Sequence, residues 1–195
     1  MSEAVTAVSL PAIPRLPVAV PRSGVSAEAR RALRQLLGDL DRSIAVAFRN
    51  GADAVALARR RSDSVTRIVA HVWTACLGEV TDAALFAIGG FGRGLLFPYS
   101  DIDLLALVER PDASRLRALE QCFATLWDIG LKVGHAVREP TQCKSLAAAD
   151  ASVFTTLLDA RRLAGDATLD APTESSLPPP NDASFEVYIG LGQAF

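Results

Sequence analysis

Two aspartates, Asp101 and Asp103, lie one residue apart and follow a glycine-rich segment, GGFGRG, that begins at Gly89. Side chains two residues apart on a β-strand point to the same face of the sheet. Two carboxylates held this close repel each other unless a positive charge lies between them. A divalent cation with oxygen ligands, Mg²⁺ or Mn²⁺, is the usual solution, and Mg²⁺ often leaves part of its shell to substrate phosphates. We therefore predict that Asp101 and Asp103 bind metal and carry catalysis.

The glycine-rich segment predicts a binding site for nucleotide phosphates. Gly89 and Gly90 would let backbone amides approach a triphosphate closely. Arg93 can offset phosphate charge, and Ser100 can donate its hydroxyl to a phosphate or orient Asp101. The segment is not a Walker loop, because the lysine and the following Ser or Thr are absent. It also differs from the dinucleotide-binding fingerprint, because we expect a loop and a strand after the glycines, where that fingerprint has a helix. Together with the carboxylates it predicts metal-assisted transfer at a nucleotide phosphate.

The elements that position these residues follow from hydrophobic spacing. Short apolar runs predict three strands, at 84–90, 101–109 and 131–139. Apolar residues at helical spacing predict four helices. The first begins after a cap at Ser26, and the others cover 52–76, 112–127 and 141–163. This order predicts the α/β (α+β) class, with a small mixed sheet flanked by helices.

Side-chain environments on the helices are predicted from the same spacing. On the second helix, the apolar residues from Val55 to Val72 mark the buried side, and the arginines at 59–61 are expected in solvent. Trp73 and Trp127 occupy helical core positions and are predicted to pack inside.

Length and composition limit the classes of function. The chain has 195 residues and a net charge of −2, so it lacks the basic field that gathers nucleic acid, and we predict no nucleic-acid partner. We predict a Pro-rich extended segment at 1–25, one domain at 26–166 and a linker-like tail at 167–195. Prolines and arginines interrupt the apolar residues of the N-terminus, which argues against a signal peptide, and no apolar stretch is long enough for a membrane span.

The three cysteines show no zinc-binding spacing. Cys76, Cys122 and Cys143 form no CxxC pair and no cluster with histidine. We predict that they are buried free thiols, as expected for a protein of the reducing cytoplasm.

The string GGFGRGLLFPYSDIDLL at 89–105 resembles a known family. A glycine pair, a short loop and Ser-Asp-x-Asp form the signature of the polymerase-β-like nucleotidyltransferase superfamily. The longer string is similar to the N-terminal domain of bacterial PII uridylyltransferases, the bifunctional uridylyltransferase/uridylyl-removing enzymes of nitrogen signalling. WDIGLKVGHAVRE at 127–139 and LLDARRLAGD at 157–166 also resemble that family, so the likeness covers about 26–166.

The resemblance implies a reaction and roles for the site residues. UTP would bind with its triphosphate against Gly89, Gly90 and Ser100. Asp101 and Asp103 would hold two Mg²⁺ ions, and UMP would be transferred to a tyrosine of the PII protein, with loss of pyrophosphate.

The sequence departs from the family pattern in three places. The superfamily usually has a third carboxylate on a later strand, where this chain offers Gly134 or His135, and Glu139 only at the strand end. Arg138, near the same end, can reach a phosphate or lie in solvent. The phosphohydrolase and glutamine-sensing domains of the family do not fit after residue 166, and the last twelve residues do not match its continuation. We therefore expect a truncated form without uridylyl-removing activity.

Two other functions are compatible with the same residues. One is nucleotidyl transfer to a small hydroxylated molecule, such as an aminoglycoside. The other is nucleotide binding without catalysis, in a remnant of the family. The residues themselves leave open the base, the acceptor, the general base and the oligomeric state.

Overall fold

The structure is a computed structural model that describes residues 24–170. The predicted segment 1–25 and tail 167–195 therefore lie almost entirely outside the described residues. Six helices and four strands occur within the described part, in the order α1 (Ala27–Arg49), α2 (Ala54–Leu77), β1 (Ala83–Ile88), α3 (Gly89–Gly92), β2 (Ile102–Val108), α4 (Ala113–Asp128), β3 (Val133–Arg138), α5 (Pro140–Ala149), α6 (Ala151–Leu158) and β4 (Arg161–Gly165).

The strands form one mixed sheet in the order β3-β2-β1-β4. β1 pairs antiparallel with both β2 and β4, whereas β2 and β3 are parallel. A parallel pair needs a crossover connection, which α4 supplies. The predicted class, a small mixed sheet flanked by helices, is confirmed.

The two faces of the sheet are covered by different helices. Leu85, Leu104 and Ala106 point to the larger core, which α1, α2 and α4 complete. Leu105 and Leu107 alternate with them and point to a smaller cluster beneath α5 and α6. The alternation of side chains along β2 therefore gives each strand residue one of two quite different environments.

Polar side chains cap the starts of the three long helices. Ser26 accepts a hydrogen bond from the Ala29 amide at 3.1 Å, which confirms the predicted cap of α1. Asp53 and Asp112 act in the same way at the starts of α2 and α4. Each cap satisfies an amide that has no partner within the helix.

Three predictions of side-chain exposure on the helices are wrong. Arg61 is only 5% exposed, because its Nε donates to Asp41 Oδ1 of α1 at 2.8 Å. Val55 is 42% exposed near the start of α2, where Leu57 and Ala58 are the buried residues. Trp127 is 49% exposed and donates its indole N–H to the Val133 carbonyl, whereas Trp73 is buried as predicted.

The predicted helix 141–163 is also wrong. Asp150 has an extended backbone (φ −140°) between α5 and α6, and its carboxylate accepts from the amides of Ser152 and Val153. This cap starts a new helix where the prediction continued the old one. The last residues of the predicted helix belong to β4, which pairs with the free side of β1.

The cysteines agree with the prediction in part. All three are free; Cys122 and Cys143 are buried, and Cys76 is half-buried. A hydrogen bond between the thiols lowers the pKa of Cys76 and, together with burial, raises that of Cys122. Burial raises the pKa of Cys143.

None of the helices between residues 24 and 170 combines the length and the apolar character that a membrane crossing requires.

Candidate active site

The two aspartates lie where β2 begins, on the face of the sheet away from α1, α2 and α4. Asp103 is the second residue of β2, and Asp101 directly precedes the strand. Ile102 lies between them with 1% of its surface exposed and packs into the larger core. Its amide donates to the Lys132 carbonyl at 2.8 Å, so the β2–β3 ladder already holds the backbone at this point. Asp101 and Asp103 are therefore on the same face, as predicted, and both are exposed.

The carboxylate of Asp103 lies between two glycines, one on β3 and one directly after β1. A Cβ atom at Gly134 of β3 would be 2.5 Å from Oδ1 of Asp103, and one at Gly89 would be 3.7 Å from Oδ2. Gly134 therefore leaves the space that the carboxylate occupies. Sequence reasoning considered Gly134 only as the position of a missing third carboxylate and did not find this role.

No third carboxylate joins this pair in the part of the chain that the structure describes. Within residues 24–170, no group of three or more His, Cys, Asp or Glu side chains could hold a metal ion. His135 points to the opposite face, where its ring stacks on Phe123 with centroids 4.1 Å apart. Glu139 caps α5 in a capping box with Gln142, at the far end of β3. The two donors that remain are carboxylate oxygens, which suit Mg²⁺ when phosphates and water complete the shell.

The glycine-rich segment forms a single helical turn, α3, where we expected the end of the strand 84–90 and then a loop. Gly89 opens it with φ +57°, a conformation that side chains other than glycine rarely adopt. The first amides of a helical turn have no partner within it, and no side chain caps this one. Because Gly89 also borders Asp103, these amides begin beside the carboxylate pair.

Arg93 and Ser100 complete the predicted set. The guanidinium of Arg93 forms an ion pair with Asp159, and its Nη2 lies 3.8 Å from the position of a Cβ at Gly90. Ser100 is exposed, and its amide donates to the Phe97 carbonyl at 3.1 Å in the turn that leads to Asp101. Tyr99 in this turn has φ +68°, an uncommon conformation for a bulky residue.

Arg161 of β4 fixes the glycine turn and was missed by sequence reasoning. Its Nε donates to the Gly92 carbonyl at 3.2 Å, and its Nη2 donates to the Phe91 carbonyl at 3.1 Å and to Thr66 Oγ1 of α2 at 3.2 Å. The guanidinium also lies 5.5 Å from the centre of the Phe91 ring. Burial lowers the pKa of Arg161, and the nearby Asp63 opposes that shift. Sequence reasoning did not find this role of Arg161 because residues 141–163 were predicted to form a helix.

Gly92 makes a second close contact on the same side of the turn. A Cβ on Gly92 would be 2.0 Å from the carbonyl oxygen of Asp159, so the backbones of α3 and of the segment before β4 meet directly. Any other residue at 92 would force these segments apart.

The site matches a known class of domain. Residues 69–161 match the family model described as nucleotidyltransferase domain, and they include both aspartates and the glycine turn. The protein therefore contains a nucleotidyltransferase domain, which is a transferase domain, and the resemblance stated for the superfamily is confirmed.

The more particular resemblance, to the uridylyltransferases, is also confirmed. The chain is 40% identical over 162 residues to the bifunctional uridylyltransferase/uridylyl-removing enzyme of Xanthomonas campestris pv. campestris (strain 8004). The aligned region covers 82% of this chain and 18% of the relative. It is 37% identical over 167 residues to the enzyme of the same name from Xanthomonas axonopodis pv. citri (strain 306), covering 84% of this chain and 19% of the relative. The enzyme of that name from Methylococcus capsulatus (strain ATCC 33009 / NCIMB 11132 / Bath) is 40% identical over 138 residues, covering 70% and 16%. The matched region thus spans less than a fifth of these relatives.

Proposed function

We propose that this domain is a metal-dependent nucleotidyltransferase that transfers UMP from UTP to a tyrosine of a PII signal-transduction protein. The observation that carries the proposal is the exposed carboxylate pair beside a glycine turn, at the start of β2. The name of the relatives, uridylyltransferase, supports UTP as the donor. The PII protein as acceptor rests on the family resemblance of the 89–105 string.

Each site residue has a role in this proposal. Asp101 and Asp103 would hold Mg²⁺ or Mn²⁺, which when bound neutralises phosphate charge and polarises the reacting phosphate. The amides of Gly89 and Gly90 donate to triphosphate oxygens, and the Ser100 hydroxyl donates to one more.

Charge at the departing pyrophosphate is offset by basic side chains at the same edge. Arg93 lies over Gly90 and can donate from the nitrogens that Asp159 does not use. Lys132 is exposed. Ile102 pairs with Val133 in the parallel β2–β3 ladder, so the residues that precede them, Asp101 and Lys132, are also neighbours.

The tyrosine oxygen attacks the α-phosphorus, the bond from that phosphorus to the bridging oxygen breaks, and pyrophosphate leaves. Most of the rate enhancement then comes from orientation and charge neutralisation.

We also propose that the protein acts in the cytoplasm. Its three cysteines are free, including two, Cys76 and Cys122, whose thiols are in hydrogen-bond contact without being joined. Thiols placed this close persist in a reducing compartment.

The test is label transfer from α-³²P-UTP to purified PII protein, with Mg²⁺ or with EDTA. We expect metal-dependent labelling, which is lost when the acceptor tyrosine is replaced by phenylalanine. Parallel reactions with labelled ATP, CTP and GTP measure the preference for the base. Labelling of an aminoglycoside instead of PII would move the proposal to a small-molecule acceptor. Triphosphate binding without transfer to either acceptor would leave a nucleotide-binding domain without catalysis.

A further inference from the structure

A cavity of about 150 Å³ lies on the same face of the sheet as the two carboxylates. Its floor is apolar and consists of Ile88, Leu105 and Ala136, one residue from each of the three strands β1, β2 and β3. Helix α6 forms a wall, to which Ser152 and Thr156 contribute hydroxyl groups. The function described above does not use this cavity.

The position of the cavity relates it to the triphosphate site. Leu105 follows Asp103 by two residues on the same face, which is a separation of about 6.6 Å along the strand. Ile88 pairs with Asp103 across the ladder and directly precedes Gly89. A nucleotide whose phosphates lie at the glycine turn would therefore have its sugar above Asp103 and its base at this floor.

One charged side chain in the cavity forms neither an ion pair nor a hydrogen bond with the residues that the structure describes. Arg138 is half-buried at the end of β3, and among residues 24–170 it forms no ion pair and no hydrogen bond through its side chain. The other arginines near this site, Arg93, Arg161 and Arg162, all bind acceptors within the protein. A guanidinium has only donors, so a free one beside an apolar floor favours a ligand edge that carries carbonyl oxygens.

The hydroxyl groups of α6 provide a hydrogen-bond acceptor, which the guanidinium of Arg138 lacks. Thr156 donates its hydroxyl to the Ser152 carbonyl at 2.7 Å, so its oxygen remains an acceptor toward the cavity. An edge that presents both carbonyl oxygens and an N–H fits Arg138 and Thr156 together. Uracil has this edge, whereas cytosine replaces one carbonyl with an amino donor and adenine has an amino donor and ring nitrogens.

The volume is compatible with one ring of this size. A protein cavity of about 150 Å³ is known to bind benzene, a single six-membered ring. The ring of a pyrimidine base therefore matches the cavity. We propose that this cavity binds the uracil base of the nucleotide donor, with Arg138 donating to a uracil carbonyl and Thr156 accepting from its N–H. This proposal rests on the proposed nucleotidyltransferase function and adds the residues that select the base.

The test measures binding of UTP, CTP and ATP, each with Mg²⁺, by isothermal titration calorimetry. Removing a charged donor to the base in Arg138→Met is expected to weaken UTP binding about 10-fold or more. Thr156→Val should weaken it about 3- to 10-fold, because a neutral hydrogen bond is lost. Both variants should change ATP binding less than about 2-fold, since their triphosphate contacts are intact.

The chain offers matched controls for both substitutions. Thr155 neighbours Thr156, is also half-buried and donates to the same Ser152 carbonyl at 3.1 Å, but it does not line the cavity. Thr155→Val and the exposed Arg117→Met should therefore leave UTP affinity unchanged.

The outcomes separate this proposal from the function on which it rests. If the unaltered protein binds no triphosphate, both proposals are overturned. If it binds UTP but Arg138→Met and Thr156→Val bind UTP as before, or lose UTP and ATP equally, the base site is overturned and the nucleotidyltransferase proposal stands. Selective loss of UTP affinity in these two variants alone supports the base site.

Discussion

The two faces of the sheet differ most at neighbouring residues of one strand. Leu104 has no exposed surface and packs beneath the three long helices, whereas Asp103 is exposed beside the glycine turn. Two residues further along, Leu105 is again covered, this time by the smaller layer of α5 and α6. The chemical groups therefore lie where the smaller layer ends, while the residues of β1 and β2 beneath the long helices are buried. Within residues 103–105 of β2, the first side chain is proposed to take part in catalysis, and the next two stabilise the two cores of the domain.

The largest effect is expected on the exposed face, for Asp101→Asn and Asp103→Asn. Each change removes a charged metal ligand, and a loss of several kcal/mol of charge stabilisation lowers transfer about 1,000-fold. Label transfer from UTP measures the rate. Thermal unfolding should be nearly unchanged, because both side chains are exposed. Variants that keep more than a tenth of the activity would contradict the assignment of these residues.

The opposite pattern is expected one residue away, for Leu104→Ala. Truncating a fully buried leucine costs about 2–5 kcal/mol of unfolding free energy through lost burial and a cavity. Urea unfolding measures this loss. Under conditions where the variant remains folded, its transfer rate should lie within about 2-fold of the unaltered protein, because no site residue has changed. A variant of full stability, or a folded one without activity, would break the division between the faces.

A smaller effect, on both stability and transfer, is expected for Gly134→Ala. This substitution removes no functional group, so it sharpens the comparison of the two faces by changing only the space beside Asp103. The added Cβ would be 2.5 Å from Oδ1 of Asp103, and the carboxylate can turn away more easily than the backbone can move. Stability should therefore fall by about 1 kcal/mol, whereas a displaced ligand lowers transfer about 10- to 100-fold. Gly38→Ala, inside α1, is the control and should leave transfer unchanged. Full activity of Gly134→Ala would show that the position of Asp103 is not critical.

The sequence predicts most of the fold where apolar periodicity is strong. α1, α2 and α4 were found, and each has a clear buried side. The first three strands were also found: β1 and β2 are buried almost throughout, whereas the residues of β3 are half-buried or exposed. β4 was missed because Arg161 and Arg162 interrupt the apolar pattern, and these arginines are accommodated by carbonyl groups and aromatic rings distant in sequence. Asp150 was the available sign of a helix start, but a cap is only visible when the preceding helix is known to end.

The site was predictable to the extent that its residues are neighbours in sequence. Asp101, Asp103 and the glycines lie within fifteen residues, so strand alternation and turn chemistry were enough to propose them. The space provided by Gly134, the support from Arg161 and the burial of Arg61 against Asp41 depend on pairing between separate elements. Such contacts cannot be inferred from the periodicity of one element.

The central claim, that a divalent metal and a triphosphate meet at the edge carrying Asp101 and Asp103, can be measured without an acceptor. Mn²⁺ added to the ¹⁵N-labelled protein with a non-hydrolysable UTP analogue broadens the amide signals near the metal. We predict that broadening centres on Gly89, Gly90 and residues 100–103 and is lost in Asp103→Asn. Broadening centred elsewhere would contradict the claim, for example at the cavity of about 400 Å³ that Phe48 and Phe97 line between α1 and α2.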